Sequence, residues 1–221
     1  MKTTLMRYRC LLFDFDGTLA NTLAQARLVF NELAPAFRLP EVAEDAMEDL
    51  REMSTRQLIR HLGIRKRDVP RLLLQGKRLL GSRLQEIDLV EGIREPVSRL
   101  REKVQLMGIL TSNSVENVEE FLRLKDFDLF DFVSSVPKLS GKAKHIKSIS
   151  RTFSLHRAEI MYIGDEIRDM KASRKAGISV TGVTWGFNSR SALAAHSPDY
   201  LLSDPAELQV LGEHLLLPPN A

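Results

Sequence analysis

The chain is poor in cysteine and aromatics: one Cys, one Trp, and 6% Phe, Trp and Tyr together among 221 residues. A lone Cys10 excludes an internal disulfide framework, so a hydrophobic core must hold the fold. Cys10 opens an apolar stretch, and a buried, unreactive thiol is the expectation there. Long apolar runs are missing too. Stretches such as Cys10 to Phe13 and Leu215 to Leu217 fall far short of the ~20 residues that span a bilayer. The first seven residues, Met1 to Arg7, carry no apolar segment of the export kind. The five histidines, His61, His145, His156, His196 and His214, show no metal-ligand spacing such as His-Glu-x-x-His. Charge of one sign is not massed anywhere. The formal net charge is +3 with a pI near 9.1, and the densest basic cluster, Arg65-Lys66-Arg67, meets Asp68 at once, as a solvated turn would. These absences predict a protein of the reducing cytoplasm, with neither nucleic acid nor membrane as partner. They set no oligomeric state.

What is present suits a globular domain. Apolar residues are 43% of the chain and charged residues 28%, enough for one core plus a small insert. Arg9 to Phe13 reads as a buried strand running into an acidic, glycine-containing turn. Asn21 or Thr22 is placed to cap a helix through Leu23, Ala26, Val29, Phe30 and Leu33. From about residue 20 to residue 91 the apolar spacing is helical, punctuated by Pro35, Pro40, Gly63, Pro70 and Gly92, with no convincing strand. After Gly92 the pattern alternates. Strands are predicted at Val104–Leu110, Phe132–Val136, Ile160–Ile163, Ile178–Val183 and Tyr200–Leu202. Helices are predicted around Val97–Arg101 and over Glu116–Leu124, Lys142–Phe153 and Asp169–Ala176. Such alternation implies a parallel sheet with helices on both faces, whose ligands bind beyond the carboxyl ends of the strands.

Four polar constellations fall at those strand ends. The first is Asp14-Phe15-Asp16-Gly17-Thr18. Two carboxylates one residue apart suit nucleophilic attack on phosphorus and a hard, oxygen-liking cation; the plain alternative is an Asx-rich turn. The second is Thr111-Ser112-Asn113-Ser114, whose hydroxyls and amides could hold a phosphate or merely cap the next helix. The third is Ser140-Gly141-Lys142-Ala143-Lys144, where a lysine at a loop-to-helix junction could neutralise a phosphate or be a solvated surface residue. The fourth is Gly164-Asp165-Glu166-Ile167-Arg168-Asp169, in which two carboxylates could meet one Mg²⁺ or serve as acidic first-turn residues of a helix.

Taken in order, the four resemble the motifs of the haloacid dehalogenase superfamily, and more particularly its phosphoglycolate phosphatase-like branch. Lys171 to Gly177, Val183-Thr184-Trp185-Gly186-Phe187 and the tail Pro198 to Leu202 with Pro205 to Leu208 look alike as well. One departure is Asn21, where many relatives carry Asp. The resemblance implies a Rossmann-like parallel α/β core from residues 1–19 and 92–221, with residues 20–91 inserted as a small helical cap. It implies Asp14 as nucleophile and Asp16 as acid/base. Thr111, Ser112, Asn113 and Lys142 would bind phosphate, with Lys138 the alternative lysine. Mg²⁺ would be held by Asp14, the Asp16 carbonyl, Asp165 and Asp169. The expected partner is a small phosphorylated metabolite, met in the cap by residues such as Ser54, Arg56 and Arg60. A phosphomutase and a non-catalytic phosphate-binding module are the other readings. A dehalogenase fits less well, because that chemistry uses no metal and lacks the second aspartate.

Overall fold

The computed structural model describes residues 8–136 and 141–215. Six strands form one parallel sheet: β1 (Cys10–Phe13), β2 (Leu106–Thr111), β3 (Phe132–Ser135), β4 (Ile160–Gly164), β5 (Ser179–Val183) and β6 (Tyr200–Leu202). Their order across the sheet is β3-β2-β1-β4-β5-β6, with all five pairings parallel. The expected parallel α/β core is observed. All six expected strands appear, most with ends shifted by one or two residues.

The central strands read as unbroken apolar runs because both faces of the sheet are covered. Alternate residues divide between two cores. Leu11, Phe13, Met107, Ile109, Met161 and Ile163 pack on one face against α5 (Arg94–Arg101), α6 (Val115–Leu124) and α10 (Glu207–Leu215). Cys10, Leu12, Leu110, Ile160 and Tyr162 pack on the other, beneath α7 (Lys142–Thr152), α8 (Ile167–Ala176) and α9 (Arg190–Ala194). Cys10 is fully buried. Burial, with the charge of Asp131 adding to it, pushes its thiol up to about 12, so it is held as the inert thiol expected. The short α9 and the terminal α10 have no counterpart in the sequence-based reading.

Between β1 and α5 the chain is helical: α1 (Leu23–Phe37), α2 (Met47–Arg51), α3 (Thr55–His61) and α4 (Val69–Gly81). Two details differ from expectation. The Thr22 side chain makes no cap bond; its hydroxyl is buried without a partner, and only its carbonyl serves α1, accepting from the Ala26 N–H at 2.8 Å. Pro35 does not interrupt α1, which runs two residues past it. The segment leaves and rejoins the core through two strands of chain lying side by side. Ala20 pairs antiparallel with Leu89. The Asn21 N–H donates to the Asp88 carbonyl at 2.8 Å, and the Val90 N–H to that of Leu19 at 2.9 Å.

The sheet order reverses between β1 and β4. β1 leads outward on one side to β2 and β3; β4 returns to its other side. Loops after adjacent strands therefore part at this point and leave a crevice at the carboxyl ends. Asp14 follows β1, Thr111 ends β2 and Asp165 follows β4, so three of the four constellations reach the crevice from neighbouring strands.

Candidate active site

Asp14 is carried into the crevice by the last bond of β1, where its N–H donates to the Ile163 carbonyl at 2.8 Å. The side chain is buried. One carboxylate oxygen accepts the Phe15 N–H at 2.8 Å, and the other accepts Lys142 Nζ at 2.7 Å. Lys142 is the first residue of α7 and is itself buried. Its ammonium also lies 2.5 Å from Asp169 Oδ1 and 4.9 Å from the centre of the Tyr162 ring. Burial alone would raise the Asp14 carboxyl, but the charges of Lys142 and Arg168 and the Phe15 N–H outweigh it and hold Asp14 below the usual carboxylate range. Burial likewise works against the Lys142 ammonium, and Asp14 and Asp169 reverse that, raising it. Asp14 is thus a carboxylate and Lys142 a cation. The third constellation's other lysine, Lys138, lies outside the described residues.

Asp165 and Asp169 come from the end of β4 and the first turn of α8. Asp165 accepts the Thr18 hydroxyl at 2.6 Å and the Phe187 N–H at 2.7 Å. It sits so close to the backbone that a Cβ on Gly17 would lie 2.3 Å from Oδ2, and one on Gly186 2.2 Å. Gly17 also holds φ +78°, a conformation glycine takes readily. Asp169 takes the helix-start role considered for it and also meets a lysine. Its Oδ2 accepts the Glu166 N–H at 3.2 Å, capping α8, while its Oδ1 faces Lys142.

One oxygen each of Asp14, Asp165 and Asp169 can be chosen so that all three lie within 4.8 Å of one another. Among the described residues only one ammonium touches this trio, through Asp14 and Asp169. Burial first, then neighbouring carboxylates, push Asp165 well above its ordinary value. The same burial, only partly offset by Lys142, raises Asp169 to about 7. Three buried carboxylates against one lysine need a further positive charge or a proton. Their donor set, all oxygen, fits a hard divalent cation such as Mg²⁺.

Asp16 faces the same crevice but belongs to a different network. Its carboxylate accepts from Asn113 Nδ2 at 3.2 and 3.4 Å. Burial and then the charge of Asp14 push it up to about 6, so a protonated form is within easy reach. Thr111 is buried, and its hydroxyl oxygen accepts the Asn113 N–H at 3.0 Å. Ser112 stands between two cations. Its carbonyl accepts from Lys77 of α4, and its hydroxyl accepts from Arg168 at 3.3 Å. Arg168 is paired with its neighbour Glu166.

All eight sequence-derived site residues therefore meet at one end of the sheet. Lys77 was not among them, because a lysine on a leucine-rich helix carries no mark that it points inward. The Thr18 hydroxyl and the Phe187 N–H were missed as supports of Asp165 for a similar reason: they come from loops brought together only by the fold. In the helical segment, Arg56 and Arg60 are exposed and Ser54 is half-buried. The Ser54 hydroxyl and N–H are both engaged by Gln57.

An aspartate aimed from a strand end, a lysine beside it, an acidic trio and a second, protonatable aspartate fit a class of protein: α/β enzymes that act on phosphoryl groups. Comparison with known proteins specifies it. Residues 11–183 match the family model of haloacid dehalogenase-like hydrolases, and the chain belongs to that family. It is 35% identical over 201 residues to a phosphoglycolate phosphatase of Synechococcus elongatus, covering 90% of this chain and 95% of that one. A phosphoglycolate phosphatase of Pasteurella multocida is 26% identical over 222 residues, covering 94% and 99%. The fold is shared with the solved structure of a haloacid dehalogenase-like family protein of Streptococcus pneumoniae, at a TM-score of 0.78 and 20% identity over 92% of this chain and 98% of that one. The chain is an enzyme of the phosphoric monoester hydrolase type, in the phosphoglycolate phosphatase-like branch.

Proposed function

We propose that the protein is a Mg²⁺-dependent phosphatase that releases phosphate from a small phosphorylated metabolite by way of an aspartyl-phosphate on Asp14. The observation that carries this reading is the buried contact between Asp14 and Lys142 beside two further carboxylates. A group kept anionic and aimed from a strand end is a nucleophile. Mg²⁺ held by Asp14, the Asp16 carbonyl, Asp165 and Asp169 would supply charge neutralisation, lowering repulsion between carboxylate and phosphate dianion.

The remaining steps belong to the chain's own residues. Lys142, with the Thr111 hydroxyl and the Ser112 N–H, holds the transferring phosphoryl, whose charge spreads over its equatorial oxygens. Asp14 attacks phosphorus and the alkoxide leaves. Asp16, protonated, gives its proton to that alkoxide; as the carboxylate it then takes a proton from the water that cleaves the acyl-phosphate. Asn113 holds the Asp16 carboxyl toward the site. Its side chain, expected to bind phosphate directly, is better read as orienting the acid/base. Residues 20–91 act as a cap that shuts water out and reads the leaving group.

The test is release of inorganic phosphate from a panel of monoesters with and without Mg²⁺, phosphoglycolate included because two relatives are named for it. Asp14→Asn should lose turnover by about 10³-fold or more while keeping its circular dichroism and melting temperature. Beryllium fluoride, a phosphoryl mimic, should protect wild type and leave that variant untouched. Substantial hydrolysis by folded Asp14→Asn would sink the covalent route.

A further inference from the structure

A cavity of about 370 Å³ opens from beside Asp16 into the helical segment. Its inner end meets Asp16, Ser112 and Asn113; its far wall is built from apolar residues of α1, α3 and α4, among them Phe30, Leu33, Leu58, Ile59, Leu72 and Leu73. α4 has a pronounced apolar face yet buries none of its residues, and Leu73 is 41% exposed. Apolar side chains that line a void next to a reaction centre gain contacts only when something apolar fills it. Charge points the same way. Four cations stand on the wall, Arg27, Arg51, Lys77 and Arg168, and each is engaged by protein. Arg27 meets Val42 and Glu44. Arg51 meets Glu48 and the carbonyls of Thr184 and Gly186. Lys77 meets the Ser112 carbonyl, and Arg168 meets Glu166 and Ser112. Of these four only Lys77, at the inner end beside Ser112, has no carboxylate partner among the described residues; a second anionic group farther out would meet a leucine-rich surface.

We infer that the leaving group has an apolar body: the preferred substrate is a phosphate monoester of an apolar alcohol, with its chain or ring lying between α1, α3 and α4. This rests on the phosphatase reading for the phosphate end, but the cavity itself does not depend on turnover. Filling it contributes what any buried methylene contributes, about threefold to fourfold in affinity each.

Two measurements separate the readings. The first is kcat/KM with Mg²⁺ for ethyl, butyl and hexyl phosphate and for phosphoglycolate. It should climb about threefold or fourfold per methylene, with hexyl phosphate above phosphoglycolate. Gly76→Leu tests the location. A Cβ at Gly76 meets only Val29 Cγ1, at 3.9 Å, so a leucine there must enter the cavity. It should lower the hexyl value by at least about tenfold and the ethyl value by less than about twofold; Ala26→Leu, on the opposite helix, is the second filling variant should Gly76→Leu misfold. The second measurement is calorimetric binding of methylphosphonate and hexylphosphonate, which cannot be hydrolysed. Tighter hexylphosphonate binding without any ester turnover would overturn the phosphatase reading and leave the cavity assignment standing. Turnover with a flat series, or with phosphoglycolate ahead of hexyl phosphate, would overturn the apolar leaving group and leave the phosphatase reading standing.

Discussion

Asp165 is a buried carboxylate with no cation against it among the described residues, held by a hydroxyl, one N–H and two glycines that leave it room. Its neighbours can be changed one atom at a time. Thr18→Val removes the hydroxyl 2.6 Å from Oδ1 without changing side-chain size. The carboxylate keeps its place in the chain but loses its orientation, and supports of this kind typically cost 10–100-fold in metal affinity or activity. The expected result is a Mg²⁺ concentration for half-maximal activity raised by about tenfold or more, with kcat at saturating Mg²⁺ changed far less; an unchanged Mg²⁺ curve would detach Thr18 from the metal site. Gly17→Ala is harsher. The new Cβ would fall 2.3 Å from Asp165 Oδ2, and the residue would keep a positive φ that costs an L side chain about 1–2 kcal/mol. Both activity and melting temperature should drop, which a calorimetric scan beside an assay would show; a variant with wild-type melting and Mg²⁺ demand would mean that the turn relaxes freely.

At the level of elements, the loops after β1 and β4 and the starts of α7 and α8 converge on one pocket of excess negative charge. Folding this pocket buries Asp14, Asp165 and Asp169 with one ammonium among them. A divalent cation that binds only the assembled pocket stabilises the fold by mass action, about 2.7 kcal/mol at a hundredfold excess over Kd. For a chain of this size that is a rise in Tm of roughly 5–10 °C. Mg²⁺ should therefore raise Tm in wild type, EDTA should reverse it, and Asp165→Asn should show little of either. Equal shifts in both proteins would place the ion elsewhere. These elements were also the legible ones. Strands buried on both faces announce themselves as apolar runs, and an aspartate at the end of such a run has nowhere to go but the crevice. Boundaries were less legible: Val104 is buried like a strand residue but precedes β2. The helices α9 and α10 carry little signal in the sequence, being short or terminal. Lys77 escaped because its reach to Ser112 depends on where α4 stands relative to the loop after β2, a tertiary fact with no local signature.

Across the whole molecule, the question is what holds residues 20–91 against the sheet. Besides the paired linkers there is a set of polar ties to one loop, residues 184–191. Arg51 donates from Nε to the Gly186 carbonyl at 3.1 Å and from Nη2 to that of Thr184 at 2.7 Å. Asn188, buried, donates to the carbonyls of Arg51 and Met53 at 2.8 and 3.0 Å and accepts the Ile167 N–H at 2.9 Å. Asn188 thus joins the helical segment to the start of α8, which carries Asp169. The same loop supplies the Phe187 N–H to Asp165. Hydrogen bonds to a charged group contribute about 1.5–3 kcal/mol net, so losing the two from Arg51 should raise the open population by an order of magnitude or more. Arg51→Ala is expected to speed amide exchange across residues 23–81 while leaving β1, β2 and β4 protected. It should also raise KM more than it lowers kcat, because Asp14 and Asp16 stay where the sheet puts them. Arg56→Ala, on an exposed residue of the same segment, is the control and should change neither. Such a motion would have its axis at the Ala20–Leu89 pair, where two short linkers could twist together without breaking the sheet. Exchange that quickened equally in the helices and in the strands of Arg51→Ala would mean that the segment and the sheet unfold as one unit, and the cap would then have no independent movement with which to gate the site.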